Sequence, residues 1–313
     1  MSTPKSIGVD FGATSIKIAV CQGTEILLKA QPIPTQDYDS PEAIIDAMCD
    51  SICGLMKDHP EVAAVGLGMP GWVDFDNGIL GRLVNVPAWN RATPVRELME
   101  QHLNLPVALD NDANCMAYAE WNLGAGQGLQ DVASITLGTG IGGGLVINGQ
   151  MQRGLGAELG MTSIDYKGKP GPYGNRGGIE EYIGNNEMAA DALARYQAAG
   201  IERTLEQCTP YELELSARAG DAIAKQVYVD FAEKLACLMM NLMCILAPQM
   251  FILGGGVAKA KDLLLEPLDA FLKAQLMPPH YEMLRVEIAR FGADAGIIGA
   301  ALMALHEADK RQK

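Results

Sequence analysis

Short apolar runs broken by glycine turns set the pattern of the first part of the chain. The run Ser6–Val9 leads into Asp10-Phe11-Gly12-Ala13-Thr14, and a second run, Ile16–Cys21, follows at once. The spacing predicts strands over 5–11, 15–21 and 25–32, the last two joined by a hairpin at Gln22-Gly23. Ser40 before Pro41 marks a helix start, and helical spacing of apolar residues carries that helix to about Lys57. A buried strand, Val62–Leu67, ends in Gly68-Met69-Pro70-Gly71. The loop Asn85-Val86-Pro87-Ala88-Trp89 and a short helix from Pro94 to His102 come next. The strand Val107–Leu109 ends at Asp110-Asn111-Asp112, and a helix runs from Ala113 to Leu123.

The second part repeats this order. Val132–Leu137 and Leu145–Ile147 flank Gly138-Thr139-Gly140-Ile141-Gly142-Gly143-Gly144, and Asn148-Gly149 supplies the hairpin. Strands are predicted over 132–138, 141–147 and 150–152. The stretch Gly154–Gly184 is rich in glycine and proline and reads as a site-forming loop. Thr209-Pro210-Tyr211-Glu212 is a capping box. A long helix covers 221–247, the strand Met250–Leu253 ends in Gly254-Gly255-Gly256, and helices over 260–275 and 294–309 flank a strand at Arg285–Ala289. Repeated βββα-type units predict an α/β protein of two related lobes, with a cleft where strand ends and loops converge.

Composition narrows the function classes. With 49% hydrophobic residues the chain can bury sizeable cores, and a net charge of −14 argues against nucleic acid or an anionic membrane as partner. The longest apolar run, Leu235–Ala247, contains Asn241 and falls short of the ~20 residues a membrane span needs. Met1–Lys5 leads straight into a strand, so no signal peptide is expected. The seven scattered cysteines suit a reduced, cytoplasmic protein with thiols in its core.

The two glycine turns carry the chemistry. Glycine lets the backbone approach an anion closely, and successive N–H groups then form a concave nest to which Thr14 or Thr139 adds a hydroxyl. No Gly-Lys-Ser/Thr follows either turn, and neither opens a helix, so the Walker and dinucleotide patterns both fail. Phosphoryl transfer to an alcohol needs such cradles, a divalent cation and one carboxylate to take the hydroxyl proton. Asp112, with Asn111 beside it, is the candidate base; the same residue is also a natural N-cap for the helix that follows. Asp10 is placed to hold Mg²⁺ through water, because Mg²⁺ keeps several waters. Glu158 and Glu180 are either solvated charges or acceptors for vicinal sugar hydroxyls, and Lys17 is either a phosphate ligand or a solvated strand lysine. The four histidines all lie outside the glycine-rich segments.

Taken together, these segments resemble the ROK family of sugar kinases and sugar-responsive repressors, within the actin-like (ribonuclease H-like) ATPase superfamily. The likeness runs through the first turn, Gly68–Gly71, Asn85–Pro87, Asn111–Asn114, Leu137–Gly144, Glu158–Gly160, Leu253–Gly256 and Asp294–Ala300. It implies a small lobe over 1–114, with the helix 297–313 packing on it, and a large lobe over 115–296. It implies Asp112 as catalytic base, with Gly71, Asn85, Asn111, Glu158 and Glu180 on the sugar. Asp10, Gly12, Thr14, Thr139 and Gly140 would lie around the ATP phosphates and Mg²⁺, and Gly254 and Gly255 near the adenosine. The expected activity is that of an ATP- and Mg²⁺-dependent hexokinase acting on glucose at the 6-hydroxyl, as a homodimer. An N-acetylhexosamine kinase, acting on N-acetylglucosamine or N-acetylmannosamine, is the alternative, and polyphosphate is a second possible donor. Repressors of this kind place a helix-turn-helix domain before the first turn; here Asp10 stands near the start, so DNA binding is not expected.

One departure from the family pattern has a chemical consequence. Many members follow Glu-x-Gly with a zinc-binding histidine and then a cysteine-rich zinc loop. Here Met161 takes the histidine's place, and Gly171, Tyr173 and Gly178 fall where the thiolates would be. All four ligands are replaced together, so no structural zinc is expected. Metal analysis of the purified protein should find well under one zinc per chain; stoichiometric zinc would refute the expectation.

Overall fold

The computed structural model describes residues 3–154, 156–172 and 174–311. In chain order its strands are β1 (Lys5–Phe11), β2 (Ser15–Gln22), β3 (Glu25–Lys29), β4 (Ile33–Pro34), β5 (Val65–Met69), β6 (Val73–Asp74), β7 (Ile79–Leu80) and β8 (Val107–Asn111). They continue with β9 (Val132–Leu137), β10 (Ile141–Ile147), β11 (Gln150–Met151), β12 (Met250–Gly255) and β13 (Val286–Ile288). The α-helices are α1 (Pro41–Asp58), α2 (Val95–Leu103), α3 (Asp112–Leu123), α4 (Glu180–Ile183) and α5 (Asn185–Ala198). After them come α6 (Pro210–Arg218), α7 (Ala222–Leu246), α8 (Asp262–Gln275), α9 (Pro278–Met283) and α10 (Ala295–Arg311).

Two sheets share one topology. The first runs β3-β2-β1-β5-β8, with β4 added beside β2; the second runs β11-β10-β9-β12-β13. In each, an antiparallel pair around a glycine turn (β1/β2, β9/β10) is extended by parallel strands (β5 and β8, β12 and β13). The chain divides into two compact units: Met1–Gly128 with Met151–Gly156 and Arg290–Lys313, and Leu129–Gln150 with Ala157–Ala289. Helix α3 lies whole in the first unit, so the expected boundary at 114/115 does not hold. That boundary falls inside the first turn of α3, whose Cys115 packs on Ala300 and Met303 of α10 in the same unit.

Each face of the first sheet has its own packing rule. One face carries large residues and meets Ile44, Met48 and Ile52 of α1 and Val95 and Met99 of α2, all fully buried. Burial of each such side chain is worth about 1.5–3 kcal/mol. The other face is built of small residues: Ala19 and Cys21 meet Ile297 and Ala301, and Ala64 and Ala108 meet Ala304 and Ala308. There α10 comes so near the strands that a Cβ on Gly8 would lie 2.0 Å from the Ile297 carbonyl oxygen, and one on Gly66 would lie 1.9 Å from that of Ala300. The second unit buries a single larger core, in which Tyr228, Phe231, Leu235 and Met239 of α7 meet Leu264, Leu268 and Leu272 of α8.

Several local expectations hold. Ser40 caps α1, its Oγ accepting the Ala43 N–H at 3.3 Å, and Thr209 caps α6 from the Glu212 N–H at 3.4 Å. Others shift for identifiable reasons. The third strand stops at Lys29 because Pro32 has no N–H to give, and the chain re-pairs with β2 as β4. The strand expected at 62–67 forms at 65–69, where Gly66 and Gly68 admit the neighbouring helices. The stretch 154–184 contains a 3₁₀ turn at Leu159–Met161 and the whole of the short helix α4. Among the described residues no helix is long and apolar enough to cross a membrane. Gly66→Ala should lower unfolding stability by about 2 kcal/mol or more, because backbone, not a flexible side-chain tip, must move. Urea melts of the variant check this; an unchanged midpoint would contradict the close helix–strand approach.

Candidate active site

Parallel pairing brings the candidate residues of the first unit to one sheet edge. Asp10 in β1 lies opposite Gly68 in β5, which lies opposite Asp110 in β8. The strand ends therefore deliver Asp10, Gly71, Asn111 and Asp112 to the same carboxyl edge. Gly71 has φ +74°, a conformation that favours glycine, and its carbonyl accepts the Asn111 Nδ2–H at 3.1 Å.

The first glycine turn is held from behind. The Gly12 N–H donates to the Ser15 carbonyl at 3.1 Å, Thr35 Oγ1 donates to the Ala13 carbonyl at 2.6 Å, and the Thr35 N–H donates to the Thr14 carbonyl at 3.2 Å. With their carbonyls engaged by a buried threonine, Ala13 and Thr14 face solvent. Thr35 was not legible as a site residue, since only the return of the chain as β4 brings it there. Lys17 is an exposed strand residue whose Nζ lies 3.4 Å from Asp10 Oδ2, a weak pair in water. Asn85 is displayed on a separate exposed loop, pinned by the fully buried Trp89, whose ring stands 5.5 Å from that of Phe11.

The corner between β8 and α3 belongs to Asn111. Its Oδ1 accepts the Ala113 N–H at 2.9 Å, which makes Asn111 the N-cap of α3. Asp112 is the first helical residue, and its Oδ1 accepts the same N–H at 2.8 Å. The capping role that local sequence offered Asp112 is thus taken mainly by its neighbour. Asp112 remains half-buried at the sheet edge.

In the second unit the glycine turn and the irregular loop are joined by one carboxylate. Glu180 Oε2 accepts the Ile141 N–H at 2.8 Å, and a Cβ on Gly140 would lie 2.2 Å from that oxygen. Glu180 thus lies across Gly140, and a side chain there would have to displace the carboxylate from the Ile141 N–H. The turn is further held where the Asn185 N–H, at the start of α5, donates to the Gly138 carbonyl at 3.0 Å. Thr139 is exposed at its tip. Gly254 and Gly255 pair with Thr136 and Leu137 beside it, and Gly255, at φ +91°, passes so close that a Cβ would sit 2.1 Å from the Leu137 carbonyl. Glu158 keeps one face in solvent, yet desolvation of its carboxyl and, after that, the Glu180 charge push its pKa above the usual glutamate value.

The segment that resembles a zinc loop is tied by backbone and amide contacts. Isolated bridges join Ser163 with Gly178 and Pro170 with Arg176, and Asn175 Nδ2 lies 3.9 Å from the Met161 sulfur. A Cβ on Gly171 would lie 2.3 Å from Asn175 Oδ1. Tyr173 lies outside the described residues. Among the described residues no three His, Cys, Asp or Glu side chains gather as metal ligands. Asp10, a single half-buried carboxylate beside the first glycine turn, fits a hard cation bound through water, which needs only one or two protein carboxylates.

Comparison with known proteins comes to the same family as the motifs. The model of the ROK family matches residues 6–307. A glucokinase of Halalkalibacterium halodurans is 32% identical, over 100% of this chain and 98% of that protein. An N-acetylgalactosamine kinase, AgaK, of a Shewanella species is 29% identical, over 95% of each. Among solved structures, a ROK family glucokinase from Streptomyces griseus in complex with glucose and AMPPNP superposes with a TM-score of 0.82 at 31% identity. That match covers 96% of this chain and 99% of the other.

The folded protein binds the Glu158 proton more tightly than the unfolded chain does. This group's contribution to stability is therefore present below the ordinary glutamate pKa and is lost as pH rises through the raised value. Carboxyl NMR titration should place Glu158 above ordinary glutamates, and Glu180→Gln should move it part of the way back, since burial, the larger cause, remains. A Glu158 that titrates at or below the ordinary value would contradict this.

Proposed function

Because this chain belongs to the ROK family and is a sugar kinase that uses ATP, we propose that it transfers the γ-phosphoryl group to the 6-hydroxyl of a hexose, glucose first, with Asp112 as general base. The observation that carries the reading is the meeting of Asp10, Gly71, Asn111 and Asp112 at the carboxyl edge of β1, β5 and β8. The relative from Halalkalibacterium halodurans and the glucose-bound Streptomyces griseus enzyme support glucose as acceptor.

In this mechanism Asp112 accepts the proton of the attacking hydroxyl as the new O–P bond forms and the bond to the ADP oxygen breaks. Asn111, Gly71 and Asn85 are assigned to orienting the sugar, and Glu158 and Glu180 to accepting hydrogen bonds from sugar hydroxyls. The turns around Gly12, Thr14 and Lys17, and around Thr139 and Gly140, receive phosphate oxygens, while Gly254 and Gly255 leave room for the adenosine. Asp10 would hold Mg²⁺ through water, and that ion would neutralise phosphate charge. The thiols, free in all seven cysteines, fit a reducing cytoplasm, and the reading extends to a homodimer of this chain.

Met161 favours a second reading. A flexible thioether where relatives carry a histidine leaves an adaptable wall beside the sugar loop, and a relative acts on an acetamido sugar. An N-acetylhexosamine kinase, taking N-acetylglucosamine or N-acetylmannosamine, would use the same base. Asp112→Asn should lower kcat by about 10²-fold or more while the protein stays folded. A coupled assay across glucose, mannose, fructose and the acetamido sugars should show the highest kcat/KM for glucose. Near-normal turnover in Asp112→Asn would overturn the base, and preference for an acetamido sugar would overturn the first substrate.

A further inference from the structure

Asp110 stands one residue before the Asn111–Asp112 pair, is 1% exposed, and takes no part in the transfer described above. A buried carboxylate persists only when its charge and lone pairs are satisfied. Both of its oxygens are engaged. Oδ1 accepts the Asn111 N–H at 2.7 Å and Asn114 Nδ2–H at 2.9 Å, and Oδ2 accepts from Arg153 Nε. Arg153 belongs to the same unit through the short segment Met151–Gly156.

The guanidinium is itself clamped. Nη1 donates to Glu307 Oε1 of α10 at 3.0 Å, Nη2 to the Leu109 carbonyl at 3.4 Å, and its carbon lies 3.9 Å over the Phe75 ring. Burial, the largest influence on Glu307, opposes its ionised form. Arg153 and then Lys310 outweigh it and hold that carboxyl below the usual range. Five donors in a rigid plane suit this bridging task in a way an ammonium does not.

We propose that Arg153, acting through Asp110, is a positioning residue for phosphoryl transfer. It locks the Asp110 carboxylate, which fixes the Asn111 peptide N–H, which in turn sets the cap of α3 and the place of Asp112. The inference rests on Asp112 as base. Without Arg153, the buried Asp110 carboxylate keeps its hydrogen bonds from Asn111 and Asn114 but loses its cationic partner, so the anchor of the Asn111 amide is no longer fixed. Small misplacement of a catalytic group is costly, of order 10²-fold for about 1 Å.

The test is steady-state kinetics of Arg153→Ala, Arg153→Lys and Asp110→Asn, at a temperature where circular dichroism shows each fully folded. Arg153→Ala should lose about 10- to 100-fold in kcat with the KM for ATP held within about threefold, and added guanidinium ion should restore part of the loss. Arg153→Lys should fall between, because it keeps the charge and loses the fork. Asp110→Asn should also lose turnover, since its amide N–H₂ faces the Arg153 donor. If Arg153→Ala does not fold, the other two variants decide. Turnover within about twofold of the parent in Arg153→Lys and Asp110→Asn, or a loss in Arg153→Ala that guanidinium leaves untouched, would overturn the positioning role. An inactive Asp112→Asn beside a normal Arg153→Ala defeats this inference alone. Retained turnover in Asp112→Asn defeats the base assignment, and this inference with it.

Discussion

Asn111 holds the corner at which a buried strand becomes a helix with no residue between them. Its amide N–H is fixed by Asp110, its side-chain oxygen caps α3, and its side-chain N–H₂ reaches the carbonyl of Gly71, just past the end of the neighbouring strand β5. A strand–helix junction of this kind leaves orphan N–H groups at the helix start, and one asparagine both satisfies that of Ala113 and ties two strand ends together. Asp112 inherits its position from that corner. The site is thus rigid where chemistry needs a fixed distance, because the residues that hold it are in turn held by buried charge and packing.

A second constraint is the nearness of α10 to the first sheet. Glycines at 8 and 66 and alanines at 19, 64 and 108 let the helix lie almost on the backbone of β1 and β5, while the opposite face takes the bulky side chains of α1 and α2. Small residues on one face and large on the other let a single sheet carry two helical layers at different distances. The same α10 supplies Glu307, so packing on that face and the electrostatics beneath Asp112 are one arrangement.

Much of the architecture was legible in the sequence for local reasons. Short apolar runs, hairpin dipeptides and the caps at Ser40 and Thr209 are short-range signals, and the strands and helices they announce formed with shifts of a few residues. The glycine turns were legible because two copies stood in matching contexts. What stayed hidden depends on partners far along the chain. Asp110 looked like the polar end of a strand until Arg153 met it, and nothing local to the second glycine turn tells that the Glu180 carboxylate lies across Gly140. The register of β5 was likewise set by α10 and α3, which no local pattern near residue 65 reveals.

The central claim is that the Asp112 carboxylate takes the proton from the attacking hydroxyl. A crystal structure with glucose and a non-hydrolysable ATP analogue measures the relevant distance directly. The account predicts an Asp112 oxygen within about 3 Å of the sugar's 6-hydroxyl, with that hydroxyl facing the terminal phosphate. A different carboxylate at that hydroxyl, with Asp112 turned away from the sugar, would contradict it.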